Sequence, residues 1–305
     1  MQKTKSMKNT KINTKIKHHP VLLTHVLSVL SPKLGESYLD LTAGYGGHAK
    51  AVLQQTQAPK KAVLVDRDSF AIQHLSEQFS AGEQVRQNDY ESTSEELLQS
   101  NAQFDLILAD IGVSSPHLDN ASRGFSVKLD GPLDMRMDTT KGVTAADIVN
   151  TYDEQELVRI IKEYGEEPKA RHIVRSIIGH RPFTTTHQLA NVVASAWRGR
   201  RSKHHPAIRT FQALRIAVND ELGQLERAIP LWVKLLKPEG RLAVISFHSL
   251  EDRIVKRMLA SYAGDRYDAT LRLLTKQPIT ADDNELVFNP RARSAKLRAA
   301  VKIKN

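Results

Sequence analysis

The chain of 305 residues contains no cysteine, two tryptophans and 6% aromatic residues in all. Without cysteine, disulfides and thiolate metal centres are excluded, and a reducing compartment fits. No apolar run approaches the roughly 20 residues that a bilayer-spanning helix needs, and no apolar signal core follows the first residues, so a cytoplasmic protein is expected. Negative charge is missing from the first 17 residues, which carry Lys3, Lys5, Lys8, Lys11, Lys15 and Lys17 with no acid. Over the whole chain 44 Lys and Arg outnumber 34 Asp and Glu, a formal net charge of +10. That balance suits a polyanionic partner such as nucleic acid. A second basic cluster, "RGRRSKHHPAIR" at 198–209, lies beside stronger signals and is expected to contact nucleic acid. The lysine tail at 1–17 reads more simply as a flexible, solvated segment.

What is present is an alternation. Strand-like runs "SYLDL" (37–41), "KAVLVD" (61–66), "EQVRQND" (83–89) and "FDLILAD" (104–110) are separated by helical patterns at 47–56, 68–79 and 94–100. Such a rhythm with short connections predicts βαβ units on a parallel sheet. Asp66, Asp89 and Asp110 close three of these runs, and ligands in such sheets sit beyond the carboxyl ends of the strands. The rhythm breaks in the Gly, Pro, Ser and Asp-rich stretch 111–145 and stays helical to 197. It returns with a long helix "TFQALRIAVNDELGQLERAIPLWVKLL", a strand "GRLAVISF" (240–247) and "KLRAAVKI", whose alternation predicts an edge strand. The expected organisation is a nucleotide-type domain in two pieces, 18–120 and 207–305. A helical insertion at 121–206 interrupts it.

Gly44, Gly46 and Ala49 satisfy the G-x-G-x-x-G/A spacing, and Asp66 stands twenty residues past Gly46, where a dinucleotide site places its ribose-binding acid. Asp40 argues against a pyrophosphate, which a carboxylate before the turn would repel. A nucleoside with a cationic end and no phosphate would be favoured there, and S-adenosylmethionine answers that description. Gly46, Gly47 and the backbone at His48 then approach the methionine and ribose, while Asp66 accepts the ribose hydroxyls. Tyr90 packs on the adenine or else serves as a core aromatic, and Asp89 or its neighbours read the adenine edge. For His48 an ordinary helix start stays open as the alternative.

The loop "ADIGVSSPHLD" (109–119) would border the reacting end. An exocyclic base amine is a poor nucleophile because its lone pair is drawn into the ring. Acceptors such as Asp110 and Ser114 can hold its hydrogens and orient the nitrogen. A Ser/Pro loop with capping hydroxyls is the plainer alternative. "FHSLED" (247–252) invites a hydrolase triad, yet no G-x-S-x-G elbow is present and Ser249 reads as a helix N-cap; His248 is left as a residue that could line the site. The pairs His18–His19 and His204–His205 lack supporting ligand spacing, and no metal is expected. "GPLDMRMD" (131–138) either packs over the site or plugs the core of the insertion.

The motifs "DLTAGYGGHA" (40–49), "DRD" (66–68), "DIGVSSPHLD" (110–119), "RGFS" (123–126), "GPLDMRM" (131–137), "YGEE" (164–167), "FQALRIAVNDEL" (211–222), "GRLAVISFHSLEDRIVK" (240–256) and "NPRARSAKLRA" (289–299) stand in one order. Together they resemble the bacterial MraW/RsmH methyltransferase family over nearly the whole chain from His19 to Lys302. The resemblance implies a Rossmann-like class I S-adenosylmethionine-dependent methyltransferase whose inserted helical domain serves substrate recognition. Its acceptor would be the N4 amine of a cytidine in small-subunit (16S) rRNA, presented by an assembled small ribosomal subunit. It implies cofactor binding by Gly46, Gly47, His48, Asp66, Tyr90, Asp110 and His117. Tyr90 stands where Phe is usual in that family and His117 where Gln is usual, which makes the contact at 117 a pH-sensitive one. Amine methylation of DNA or another RNA, and a non-catalytic RNA-binding assembly role, are the rival readings.

Overall fold

A computed structural model describes residues 20–197, 205–264 and 267–304. The lysine tail, His18–His19, His204 and positions 198–203 of the basic cluster lie outside the described residues.

Seven strands form one sheet in the order β3-β2-β1-β4-β5-β7-β6. They are β1 (Tyr38–Asp40), β2 (Ala62–Asp66), β3 (Gln84–Gln87), β4 (Phe104–Asp110), β5 (Leu236–Ser246), β6 (Leu271–Leu273) and β7 (Lys296–Lys302). The first five run parallel, and β7 is antiparallel to both β5 and β6. Strand order reverses between β1 and β4, which opens a crevice above their carboxyl ends. The register sets Asp40 level with Leu64 and Leu108, and Asp110 level with Ile245.

Helices cover both faces, so the central strands are apolar on both sides rather than alternating. Leu39, Val63, Val65, Ile107 and Ala109 bury one face under α4 (Tyr90–Gln99), α11 (Glu221–Leu235) and α12 (Ser249–Tyr262). Tyr38, Leu64, Leu106 and Leu108 bury the other under α1 (Leu23–Leu30), α2 (Gly47–Thr56) and α3 (Ser69–Gln78). After β4 come a short α5 (Ser115–Asp119) and an irregular stretch. A helical unit follows: α6 (Ala145–Thr151), α7 (Glu154–Glu163), α8 (Ala170–Gly179), α9 (Thr186–Ala196) and α10 (Ile208–Asn219). Its core takes in Phe211 and Leu214 of α10, beyond the expected boundary at 206, together with Leu133, Met135 and Met137 of the turn-rich stretch. A last helix, α13 (Asp283–Phe288), precedes β7.

Three expectations are corrected. The run expected as one long helix is two, α10 and α11, broken at Asp220, whose φ of 46° is left-handed. β7, expected at an edge, lies between β5 and β6. β3 stops at Gln87, and Asp89 instead caps α4, its carboxylate accepting from the Ser92 amide at 2.8 Å and the Ser92 hydroxyl at 3.0 Å.

Candidate active site

The turn after β1 is shaped by its glycines. Gly46 holds φ 76°, and a Cβ there would come within 2.4 Å of the Phe79 ring; one on Gly47 would meet Pro20 at 2.5 Å. Packing beneath the turn therefore demands both glycines, in addition to any close approach of a ligand from above. Asp40 is buried rather than facing the crevice: Tyr38 donates its hydroxyl to it at 2.7 Å and the Thr42 amide donates at 3.2 Å. Burial pushes its carboxyl from an ordinary 3.8 up to about 6, against the pull of Tyr38 and His48. Asp40 thus reaches a ligand through its field and not by contact. At the start of α2, His48 Nε2 lies 3.6 Å from Asp110 Oδ2. Both ring nitrogens of His48 and Oδ1 of Asp110 are buried without a hydrogen-bond partner. This corner between β1 and β4 is polar, net acidic and unsatisfied.

At the end of β2, Asp66 accepts from the Gly44 amide and the Asp68 amide, each at 2.8 Å. Burial raises its pKa, offset in part by those two amides. One lone pair on each oxygen remains for a further donor. Tyr90 is 5% exposed, edge-on to Trp232 at 5.6 Å between ring centroids, and the Arg67 guanidinium lies 5.6 Å from its own ring centroid. Tyr90 is thus a core aromatic that still borders a small pocket lined by Arg67, Ile111, Gly112, Met137, Glu221 and Glu251.

The loop after β4 packs against the end of β2. His117 is 5% exposed. Its Nδ1 lies 2.9 Å from Ser114 Oγ and its Nε2 lies 2.8 Å from Asp68 Oδ2. Nδ1 is thus engaged by Ser114, while Nε2, although close to the Asp68 carboxylate, is buried without a hydrogen-bond partner. Asp68 also caps α3 and faces Arg123 at 3.3 Å. Burial alone would raise its pKa, but His117 and the charge of Arg123 hold it below the ordinary carboxylate value. Sequence reasoning did not single out Asp68 or Arg123. Their only signal was membership of "DRD" and "RGFS", since the partners they meet lie 49 and 55 residues away in the chain.

Beyond β5 the cap of α12 is His248, not Ser249: His248 and Glu251 form a reciprocal capping box. Glu251 accepts from the Phe247 amide at 2.8 Å and lies 3.1 Å from His248 Nε2. Burial would raise the carboxyl of Glu251; His248, Arg215 and the Phe247 amide keep it low. Glu221, His248 and Glu251 bring their ligand atoms within 4.8 Å of one another. Arg215 grips Glu221 with two bonds of 2.9 Å, so one of the two carboxylates is already paired with a guanidinium. Ser249, expected to cap, donates its hydroxyl to Glu166, which Arg253 also holds at 3.0 Å.

The residues present fit a cationic nucleoside. Asp66 keeps acceptor capacity at the strand end where ribose hydroxyls would sit. The unpartnered Asp110 oxygen beside His48 and the buried Asp40 make a corner that calls for a charged donor such as an ammonium group.

Comparison with known proteins supports the same reading. A Synechocystis protein named "Ribosomal RNA small subunit methyltransferase H" is 46% identical over 292 residues, covering 94% of this chain and 93% of its own. A Deinococcus deserti protein of the same name is 47% identical over 290 residues, covering 94% and 93%. A solved structure, described as a putative rRNA-methylase from Clostridium thermocellum, superposes with a TM-score of 0.44 at 10% identity over 95% of this chain and 99% of that one. That likeness is too distant to argue from. The model of the MraW methylase family matches residues 15–303. With that match over nearly its full length and relatives this similar, the chain belongs to the MraW methylase family.

Proposed function

We propose that this protein transfers a methyl group from S-adenosylmethionine to the exocyclic N4 amine of a cytidine in small-subunit (16S) rRNA. The observation that carries the chemistry is the unsatisfied corner formed by Asp110 and His48 with Asp40 beneath it, set at the sheet's reversal point beside Asp66. When bound, the cofactor supplies a methyl group on a positively charged sulfur. Asp66 would hold the ribose hydroxyls, and the Gly46–Gly47 turn would lie along the ribose and methionine. Asp110, with His48 beside it, would receive the ammonium group. Tyr90 would form the floor of the adenine pocket through its ring, while Asp89, tied by both oxygens to Ser92, would serve first as the cap of α4.

On the acceptor side, Ser114 and backbone carbonyls of 111–114 would take the amine's hydrogens, turn its lone pair toward the methyl group, and offset the positive charge that develops. The helical unit would present the RNA, a role supported by the chain's positive balance and by the basic cluster that leads into α10. Among the described residues no helix is long and apolar enough to cross a membrane. A cytoplasmic place on small ribosomal subunits is the setting this substrate requires.

The test is mass spectrometry of small-subunit rRNA from cells without the gene, complemented by wild type or by Asp110→Ala. Wild type should restore one N4-methylcytidine, and Asp110→Ala should leave it below about one per cent of that level. Methylation that persists without the gene, or appears only on another RNA or on DNA, would reject the assignment.

A further inference from the structure

We propose that α13 and the turn after it form a docking surface for a single-stranded stretch of the substrate RNA, with Phe288 as a stacking platform and Arg293 as a phosphate contact. The inference rests on the functional reading above and goes beyond it by naming where the RNA next to the target cytidine lies. β7 begins where β5 ends, since Lys296 is paired with Ser246. The short 3-10 turn Pro290–Ser294 that leads into β7 therefore stands at the carboxyl ends of the parallel strands, on the side of the crevice. Arg291 tethers that turn to the site: its guanidinium meets the Asp119 carboxylate at 2.6 Å, in the α5 segment that follows the loop after β4.

The helix is anchored, yet its apolar end is left uncovered. Glu285 accepts the Leu22 amide at 2.6 Å, and Leu286 packs with Ile279 and Ala281 against the core under α1, α2 and α3. Val287 and Phe288, next in the chain, are 74% and 79% exposed. Two adjacent apolar side chains held in water by an anchored element offer a contact surface. Its surroundings select RNA. Arg293 is exposed and has no ion-pair partner among the described residues, and the chain as a whole carries a net charge of +10. The N4 amine lies on the pairing edge of cytosine, so the nucleotide that is methylated must be unpaired and drawn out of its stack. That leaves a neighbouring base without its stacking partner close to the crevice. An exposed phenyl ring with a guanidinium nearby is the surface that such a base and its phosphate take.

Phe288 is exposed, so substitutions there leave the core intact. The test titrates the full-length protein with small ribosomal subunits that lack the modification. Phe288→Ala should weaken binding about tenfold, the scale of one lost stacked base, whereas Phe288→Trp should bind as wild type does. In Phe288→Trp the added fluorescence, over the background of Trp197 and Trp232, should be that of a solvent-exposed indole and should be quenched by the subunits. Arg293→Ala should reduce the slope of log K against log salt by about 0.7. Affinity for S-adenosylhomocysteine should stay within about twofold of wild type in all three variants. Binding that Phe288→Ala leaves unchanged, or an indole that the subunits do not quench, would overturn the docking surface. So would a shielded indole in the free protein, or a dimer that Phe288→Ala splits, because protein would then cover this face. If Phe288→Ala weakens binding but wild type adds no methyl group to the subunit RNA, the functional reading fails and the docking surface stands. If wild type methylates and Phe288→Ala binds equally well, only the docking surface fails.

Discussion

At the scale of single residues, Asp40 shows how a site can use charge without contact. Its carboxylate is buried beside Tyr38 and is shifted from 3.8 to about 6. The folded state therefore binds this proton more tightly than the unfolded chain, and stability falls as pH rises through the interval between the two values. A shift of about two units corresponds to roughly 3 kcal/mol as an upper scale. Asp40→Asn removes the ionisation. The stability of wild type relative to Asp40→Asn, from urea denaturation, is expected to decline by up to about 3 kcal/mol between about pH 3 and pH 7 and to be flat below about pH 3. A difference independent of pH would mean that Asp40 is not buried as an acid.

At the scale of elements, helix starts in this chain carry the acids that a sequence reader assigns to ligands. Asp89 is the clear case: it looks like the third member of a series of strand-terminal carboxylates, yet both its oxygens serve Ser92 at the start of α4. Asp89→Ala should cost about 1 kcal/mol of stability, the usual worth of an N-cap, and calorimetric titration should find its affinity for S-adenosylmethionine within about twofold of wild type. A tenfold loss of affinity at unchanged stability would return Asp89 to the adenine edge. The break between α10 and α11 has a related cause. Asp220 takes a left-handed conformation that Asp tolerates better than most residues, and its side chain pairs with Arg227 at 2.8 Å. No glycine or proline marks the break, so the apolar spacing runs on as if through one helix.

Across the whole molecule there are three packed cores, one on each face of the sheet and one in the helical unit. Glu166 of the helical unit, held by Ser249 and Arg253 at the start of α12, is one of the clasps between them. The basic cluster at 198–209 immediately precedes and overlaps the start of α10 in the sequence. If that cluster supplies phosphate contacts, replacing Arg198, Arg200, Arg201 and Lys203 by Ala should weaken binding to small-subunit rRNA. It should also reduce the slope of log K against log salt by up to about 3, at roughly 0.7 per lost contact on single strands. Removing residues 1–17 should change that slope by less than about 1. Equal effects from both changes would move the lysine tail into the interface.

The sequence by itself determined the parallel sheet, the glycine turn and the strand-terminal Asp66 and Asp110. Each is a local pattern: a short apolar run ending in an acid, then a helix. It could not determine the place of β7. There Leu297, Ala299 and Val301 alternate with Arg298 and Lys302 as on an exposed edge. Arg298 is nevertheless buried against Asp252 at 2.6 Å, and Lys302 against the Leu236 carbonyl at 2.7 Å. Nor could it show that His117 reaches Asp68, that Arg215 neutralises Glu221, or that Asp40 turns inward to Tyr38. Periodicity reports which face of an element is apolar. Which buried polar group finds which partner depends on distances between segments far apart in the chain, and only the folded arrangement sets those.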